Sequence, residues 1–257
     1  MDLQLWRNAT LLLNVNSQNI LIDPMLGPKG FMDPFPWTSN NIRNPMVDLP
    51  FNRDELPLKL QTVDAVVVTH LHPDHWDYFA RHMLRKDIPL FCRPGDEIKI
   101  MESGFSNVIP VEKNILWNGV KLSITNGHHG MGEAEKLMGL VCGFVFQYAE
   151  TSLYIAGDTV WCSEVKDALN QFKPEYVVLN GAAATFNVGD PVTMTANDIM
   201  LACDYAPRAR FFVVHMESVN PVTESRKTVR TAILQHNLSD RCFVPEDGEF
   251  LFKKTPL

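Results

Sequence analysis

Residues Thr69–Asp77 read THLHPDHWD and contain the most informative pattern in the chain. It begins at the end of Val63–Thr69, a β-branched run of strand length. The stretch places four potential metal ligands within six residues: His70, His72, Asp74 and His75. Imidazole nitrogen and carboxylate oxygen are ligands that several divalent ions accept. Because three of the chain's eight His lie in this short segment, we interpret it as part of a metal site.

The spacing within this stretch favours two metal ions over one. His70 and His72 are two residues apart, so that in an extended segment their side chains point the same way. Asp74 and His75 follow at the turn into a predicted helix and are directed at a neighbouring point. One segment cannot surround two ions, so further ligands are expected from elsewhere in the chain.

Three other segments carry a candidate ligand directly after an apolar strand. These candidates are the pair His128 and His129 after Val120–Thr125, Asp158 after Ser152–Ala156, and His215 at the end of Arg210–His215. Each candidate alone is weak evidence for a metal ligand. Their occurrence in this order after the first stretch makes the combined evidence strong. His82 and His236 fall on predicted helices, and we interpret them as ordinary helix residues.

The remaining patterns predict strands interspersed with helices in a single domain, residues 1–257. The other predicted strands are Thr10–Val15, Asn19–Ile22, Pro89–Cys92, Asn107–Pro110, Gly143–Ala149, Tyr176–Asn180, Cys242–Val244 and Glu249–Phe252. The predicted helices are Trp76–Arg85, Gly95–Ser103, Ser163–Phe172, Thr193–Cys203 with Thr193 as N-cap, and Thr223–Gln235. We expect layered sheets with helices outside.

A long, Pro-rich irregular stretch interrupts this pattern at about residues 25–62. Its aromatic residues, among them Trp37, argue against disorder. Two interpretations stay open: a loop packed on the surface or at a contact between identical chains, and a wall or lid over an active site. Trp37 is a candidate substrate contact under the second interpretation.

Composition and charge indicate which kinds of partner and which cellular compartment suit the protein. The formal net charge is −7, from 23 Lys and Arg against 30 Asp and Glu, which argues against a nucleic-acid partner. No window approaches the roughly 18 apolar residues of a membrane span. The start of the chain lacks the features of a signal peptide. Five scattered Cys without a Cys-x-x-Cys pair fit a reducing compartment, and we expect a cytoplasmic protein.

The ordered pattern of ligands resembles the metallo-β-lactamase superfamily. The resemblance rests on His-x-His-x-Asp-His at residues 70–75, then a His, then Gly157-Asp158, then His215 after a strand, and it extends over about residues 8–250. Finer features look like the branch that contains L-ascorbate-6-phosphate lactonase: Asn8-Ala9-Thr10, Ile22-Asp23-Pro24, His129-Gly130 followed by Met138-Gly139, and residues 245–249. N-acyl-phosphatidylethanolamine phospholipase D shares part of the pattern.

The resemblance implies an α/β fold, a four-layer αββα sandwich with two divalent ions at one edge between its sheets. It implies three ligands of the first ion, His70, His72 and His129, and three of the second, Asp74, His75 and His215, with Asp158 as a bridge. His129 is preferred to His128 because a Gly follows it, which leaves His128 as a neighbour able to touch substrate. Asp77 is either a partner that orients a ligand His or an acid at a helix N-terminus.

The implied activity is hydrolysis of a small molecule. The resemblance suggests zinc or manganese, with iron as a third choice, and a metal-bridging hydroxide that attacks a small ester or lactone, with or without a phosphate group. Asp74 is the candidate for accepting the proton of the water. Two alternatives remain: a phosphodiesterase acting on a small or lipid phosphodiester, and a non-catalytic metal-binding sensor or scaffold. Lys29, Arg43 and Arg53 are either phosphate contacts or solvated surface charges.

Overall fold

The computed structural model describes residues 1–187 and 189–253, and about half of these residues form strands and helices. The strands are β1 (Asp2–Arg7), β2 (Thr10–Val15), β3 (Gln18–Ile22), β4 (Ala65–Val68), β5 (Leu90–Cys92), β6 (Val108–Pro110), β7 (Asn114–Trp117), β8 (Val120–Asn126), β9 (Cys142–Tyr148), β10 (Thr151–Ile155), β11 (Tyr176–Asn180), β12 (Arg210–Val214), β13 (Cys242–Phe243) and β14 (Phe250–Lys253). They form two seven-stranded sheets, in the orders β14-β1-β2-β3-β4-β5-β6 and β13-β12-β11-β10-β9-β8-β7.

Short helices connect the strands and cover the outer faces of the sheets. They are α1 (Leu56–Gln61), α2 (Tyr78–Met83), α3 (Glu97–Glu102), α4 (Glu133–Met138), α5 (Ser163–Phe172), α6 (Ala196–Tyr205) and α7 (Arg226–Gln235), with a 3-10 turn at Arg53–Glu55 before α1. Within the described ranges, no helix has the length and apolar character needed to cross a bilayer.

The alternation of side chains along buried strands produces the layers. In β4, Ala65 and Val67 join the core between the two sheets, whereas Val66 and Val68 face α1, α2 and α3. This strand is apolar on both faces because both faces are covered. The second sheet packs its outer face on α5, α6 and α7. The predicted αββα sandwich is therefore confirmed.

Several predicted elements need correction. Strands β1 and β7 and helix α4 were not predicted from the sequence, and α1 lies inside the stretch predicted to be irregular. The predicted N-cap of α6, Thr193, is wrong. Thr195 caps this helix, because its hydroxyl accepts the amide of Asp198 while the Asp198 carboxylate accepts the amide of Thr195. The Thr193 hydroxyl instead donates to the carbonyl of Gly181 at 3.0 Å.

Two buried polar side chains order the long stretch at 25–52. The guanidinium of Arg7 is fully buried and donates to the carbonyls of Met25, Gly27 and Val47 at 2.6–3.0 Å. The amide of Asn220 binds several residues of the same stretch: Phe35, Thr38, Asn40 and Asn44. The stretch is thus fastened to the sandwich by internal hydrogen bonds.

Candidate metal centre

The candidate ligands meet where strands of both sheets end. His70 follows β4, His129 follows β8, Asp158 follows β10, and His215 follows β12. Strands β10, β11 and β12 are parallel, as are β3 and β4, so their carboxyl ends lie at the same edge of each sheet. Residues far apart in the chain are brought together because the two sheets stack with these edges adjacent.

His70, His72 and His129 form the first group, whose ring nitrogens lie within 4.8 Å of one another. His72 Nε2 is 2.9 Å from the carbonyl of Met138, and His129 Nδ1 is 2.8 Å from the carbonyl of Val192. Since a carbonyl only accepts, the hydrogen-bonded nitrogen of each ring carries the proton. The lone pairs of His72 Nδ1 and His129 Nε2 are thereby left for a metal.

Asp74, His75, Asp158 and His215 form the second group, and all four are buried. Asp158 Oδ2 lies 3.3 Å from His75 Nε2 and 3.6 Å from His215 Nε2. The same oxygen lies 3.6 Å from His129 Nε2, which belongs to the first group. Asp158 therefore stands between the two groups, in the position expected of a carboxylate shared by two ions.

Asp23, a residue with no assigned role in the sequence analysis, holds His75. Its Oδ2 is 2.8 Å from His75 Nδ1 and accepts the hydroxyl of Thr69 at 2.7 Å, while its Oδ1 accepts the amide of Thr69 at 2.8 Å. Asp23 directly follows β3, which lies beside β4. Its place after an apolar strand was the signal that could have identified it.

Asp77 is the acid at the N-terminus of α2, the second of the two roles considered for it. Its carboxylate accepts the amide of Ala80 at 2.7 Å, which caps α2, and the amides of Leu26 and Gly27 at 2.8 and 2.6 Å. The hypothesis that it orients a ligand histidine is wrong, because Asp23 makes that contact.

Two asparagines position the carboxylates of the second group. Asn180 Nδ2 donates to Asp158 Oδ1 at 2.7 Å, which leaves Oδ2 directed at the histidines. Asn8 Nδ2 donates to the carbonyl of Asp74 at 3.2 Å and lies 3.5 Å from its Oδ2. Asn180 is the last residue of a fully buried strand, and this polar end was a usable signal that the sequence analysis missed.

The electrostatics of the centre favour a bound cation. Burial opposes charge on His75, but Asp158, Asp74 and Asp23 raise the pKa of His75 well above its usual value. Burial also opposes charge on Asp158, yet His215 and His75 hold the pKa of Asp158 well below its usual value. The carboxylates thus stay ionised, and protons on histidine occupy the place of the cations.

The donor set fits a metal. Burial and the neighbouring His75 and His72 hold the pKa of His70 well below its usual value, so its ring is neutral. The Nε2 atoms of His70 and His75 are buried and form no hydrogen bond. An unpartnered buried nitrogen is costly, and a divalent ion at each group would give these atoms a partner.

The other candidate residues make contacts with residues outside the two groups. The ring of His128 contacts Glu135 and Glu164. Trp37 is exposed, and its carbonyl accepts the amide of Asn187 at 2.6 Å. His82 Nδ1 contacts the carbonyl of Tyr78 within α2, and His236 is the C-cap of α7, as expected of helix residues.

The cationic residues of the long stretch have local partners. Arg43 pairs with Asp33 and donates to two backbone carbonyls of the same stretch. The guanidinium of Arg53 lies 4.8 Å from the centroid of the Phe79 ring. These contacts favour the interpretation of both residues as surface charges.

Comparison with protein families identifies the class. Residues 18–216 match the family described as Beta-lactamase superfamily domain. The UPF0173 protein YddR of Bacillus subtilis (strain 168) is 40% identical over 248 residues, 95% of this chain and 96% of the relative. The chain belongs to the β-lactamase superfamily and is a metal-dependent hydrolase of the metallo-β-lactamase fold.

Solved structures agree over nearly the whole chain. A protein from Veillonella parvula DSM 2008, described as a possible metal-dependent hydrolase, has a TM-score of 0.92 and 37% identity and covers 98% of each chain. The isothiocyanate hydrolase from Delia radicum gut bacteria has a TM-score of 0.92 and 36% identity, over 98% of this chain and 99% of its own.

Proposed function

We propose that this chain is a dinuclear metal-dependent hydrolase that adds water to an uncharged carbon electrophile, with isothiocyanates as the substrate class. The observation that carries the dinuclear site is the position of Asp158 Oδ2 between two separate groups of ligand atoms. The substrate class is supported by the 36% identical isothiocyanate hydrolase. Small esters and lactones share the same kind of electrophilic carbon.

Seven residues would hold the ions: His70, His72 and His129 at the first, Asp74, His75 and His215 at the second, and Asp158 between them. Zinc, manganese and iron all suit these nitrogen and oxygen donors. When bound, divalent ions lower the pKa of a coordinated water and stabilise developing negative charge.

Asp74 is the proposed proton carrier. Its Oδ2 lies 3.1 Å from His215 Nε2 and 3.6 Å from His75 Nε2, at the junction of the second group. These neighbours keep it ionised, and an ionised carboxylate can accept a proton from water and deliver it to the leaving nitrogen. Asn180 holds the carboxylate of Asp158, and Asn8 donates to the backbone carbonyl of Asp74.

For an isothiocyanate, the reaction needs water and no other reactant. Water adds its oxygen to the central carbon and a proton to nitrogen, which forms a thiocarbamic acid. This acid breaks its carbon–nitrogen bond and transfers its second proton to nitrogen, which releases an amine and carbonyl sulfide. No phosphate-binding cation is required.

The segments beside the ligands present apolar side chains suited to such a substrate. Met131, Leu137 and Leu140 are exposed on the segment whose Met138 carbonyl holds His72. Trp37 is exposed and bonded through its backbone to Asn187. We propose that these side chains border the substrate's apolar portion.

The test is an assay of the protein loaded separately with zinc, manganese and iron. Isothiocyanates, lactones, esters and a phosphodiester are supplied in turn, and the amine, acid or alcohol formed is measured. We expect turnover of the isothiocyanates, and a loss of about 10²–10⁴-fold in Asp74→Asn. Asp167→Asn, an exposed aspartate on α5, is the matched control.

Other outcomes would overturn the proposal. Turnover of the phosphodiester alone would establish the phosphodiesterase alternative. Two bound ions with no turnover of any substrate would favour the sensor or scaffold. Turnover of esters or lactones without isothiocyanates would reject the substrate class and retain the dinuclear hydrolase.

A further inference from the structure

A second set of metal-ligating side chains includes His128, the residue before His129. His128, Cys162 and Glu164 each offer a ligand atom, and these atoms lie within 4.8 Å of one another. His128 comes from the turn after β8, and Cys162 and Glu164 both come from the N-terminus of α5, as its N-cap and a residue of its first turn. All three side chains are half-buried, so an ion could reach them from solvent.

The environment of His128 has the arrangement typical of a ligating imidazole. Its Nδ1 contacts the carboxylate of Glu135 on α4, and its Nε2 lies 3.1 Å from Glu164 Oε2. Metal-binding histidines commonly donate one ring N–H to a carboxylate while the other nitrogen faces the ion. The pair of Asp23 and His75 in the central site has the same construction. This contact is an observation independent of the grouping of ligand atoms.

Cys162 supplies a thiol at the N-terminus of α5. The residue occupies the N-cap position with an extended backbone, but its side chain makes no capping hydrogen bond. The Sγ atom lies 3.6 Å from the hydroxyl of Thr159. That hydroxyl accepts the amide of His128 and donates to the carbonyl of Val160. The thiol therefore lies beside His128, with contacts to Thr159, Glu164 and the backbone of Val165.

The donor set and its spacing select the metal. Imidazole, thiolate and carboxylate together suit zinc, which binds all three kinds of ligand. With metal–ligand distances of about 2.0–2.3 Å and tetrahedral angles, ligand atoms stand roughly 3.3–3.7 Å apart. The 3.1 Å between His128 Nε2 and Glu164 Oε2 is close to that spacing.

We propose that His128, Cys162 and Glu164 form a peripheral zinc site, distinct from the central pair of ions, with water as a fourth ligand. Zinc there would join α5 to the turn after β8. Because His129 is the next residue and Glu135 lies on α4, this site would also fix the segment that carries a central ligand. The proposal does not depend on the substrate or on catalysis at the centre.

The test uses cobalt(II) as a probe, because cobalt bound to thiolate absorbs in the near ultraviolet and the central ligands include no thiol. Increasing amounts of cobalt are added to the metal-free full chain, and absorption and bound metal are measured. We expect a thiolate-to-cobalt band in the wild type and one equivalent of metal beyond those bound at the centre. Cys162→Ser should lose the band and that equivalent, while retaining the metal bound at the centre.

Glu133→Gln, an exposed residue of α4 outside the cluster, is the control and should keep the band. Glu164→Gln should weaken metal binding at this site without altering the central equivalents. Absence of the band from the wild type, or its persistence in Cys162→Ser, would overturn the proposal. If the central site does not bind metal or catalyse hydrolysis, the thiolate band is unaffected. The result therefore distinguishes a wrong peripheral zinc site from a wrong proposed function.

Discussion

The central site and the peripheral cluster use the same construction but differ in burial. In each, a carboxylate contacts His Nδ1 and the Nε2 atom faces further ligands: Asp23 and His75 at the centre, Glu135 and His128 at the periphery. The His75 side chain is 0% exposed, whereas that of His128 is 29% exposed. The unpartnered nitrogens at the centre are buried away from water, whereas both ring nitrogens of His128 contact glutamates and its side chain is partly exposed. Burial therefore makes the central site far more dependent on a cation.

Burial should also give Arg7 and Arg43, which both bind backbone carbonyls of residues 25–52, different contributions to the free energy of unfolding. Arg7 is fully buried, and burial lowers the pKa of Arg7 to about 10. Arg43 makes a comparable set of contacts with its side chain 52% exposed. We expect Arg7→Met to lower the free energy of unfolding by about 3 kcal/mol, because three carbonyls lose their donors. Arg43→Met should cost less than about 1 kcal/mol.

Urea unfolding of the two variants measures this difference. Equal losses would show that burial does not determine the contribution of these contacts. If Arg7→Met does not fold, Arg7→Lys keeps the charge with fewer donors, and it should still lose more stability than Arg43→Lys.

The buried carboxylate–histidine pair should control metal affinity at the centre. We expect Asp23→Asn to weaken binding of the central ions by about 10–100-fold, equivalent to about 1.4–2.7 kcal/mol, because His75 loses its charged acceptor. Competition with a chelator measures the affinity. Asp64→Asn is the matched control, since Asp64 accepts the amide of Asn19 away from the site. Equal affinities of Asp23→Asn and wild type would contradict the role given to Asp23.

The exposed pair of His128 and Glu135 should have the smallest effect on stability. In the metal-free protein this effect depends on pH. The ring of His128 donates hydrogen bonds to Glu135 and Glu164, and these raise the pKa of His128 above its usual 6.5. Its contribution to stability is therefore complete below pH 6.5 and is lost as the pH rises through the folded-state pKa. The pKa of Glu164 is lowered from 4.5 to about 2, first by the backbone amide of Glu164 and then by His128. The contribution of Glu164 to stability is therefore lost as the pH falls below 4.5.

The combined contribution is thus largest between pH 4.5 and 6.5. With solvent screening, we expect a total of about 0.2–1 kcal/mol. The measurement is the difference in unfolding free energy between wild type and Glu135→Gln within that range and again about two units above it. Glu133→Gln should show no such dependence. A difference that grows at higher pH would contradict the sign of the His128 shift.

Much of the fold could be predicted because its signals are local. Helix α5 begins and ends where the pattern Ser163–Phe172 predicts, and β2 and β11 also coincide with their predictions. Two of the missed elements, β7 and α4, lack such signals. Strand β7 is exposed at alternate residues and has no buried side chain, and α4 has no buried residue. Helix α6 was displaced because two threonines, Thr193 and Thr195, both resemble N-caps.

Some residues of the candidate site could likewise be predicted from local patterns, and others could not. The stretch Thr69–Asp77 and the residues after apolar strands identified seven side chains that the structure brings into two adjacent groups. Asp23, Asn8 and Asn180 were not assigned roles, because their functions arise from contacts across the chain. A carboxylate beside a turn, or an amide at the end of a strand, has ordinary local explanations as well.

Local patterns of strand periodicity and histidine spacing were enough to predict the strand edge that carries the site and the types of ligand, because they act within a few residues. The class of the protein was implied by the resemblance of the ordered ligand pattern to a known superfamily. The tertiary structure decided which nitrogen of each ring faces the centre and which carboxylate holds His75. It also decided that His128 belongs to a different cluster from His129. These outcomes depend on contacts between distant residues, such as His129 with Val192 and Asp23 with His75. Such contacts exist only after both sheets have stacked, because stacking sets the distance and burial of each partner.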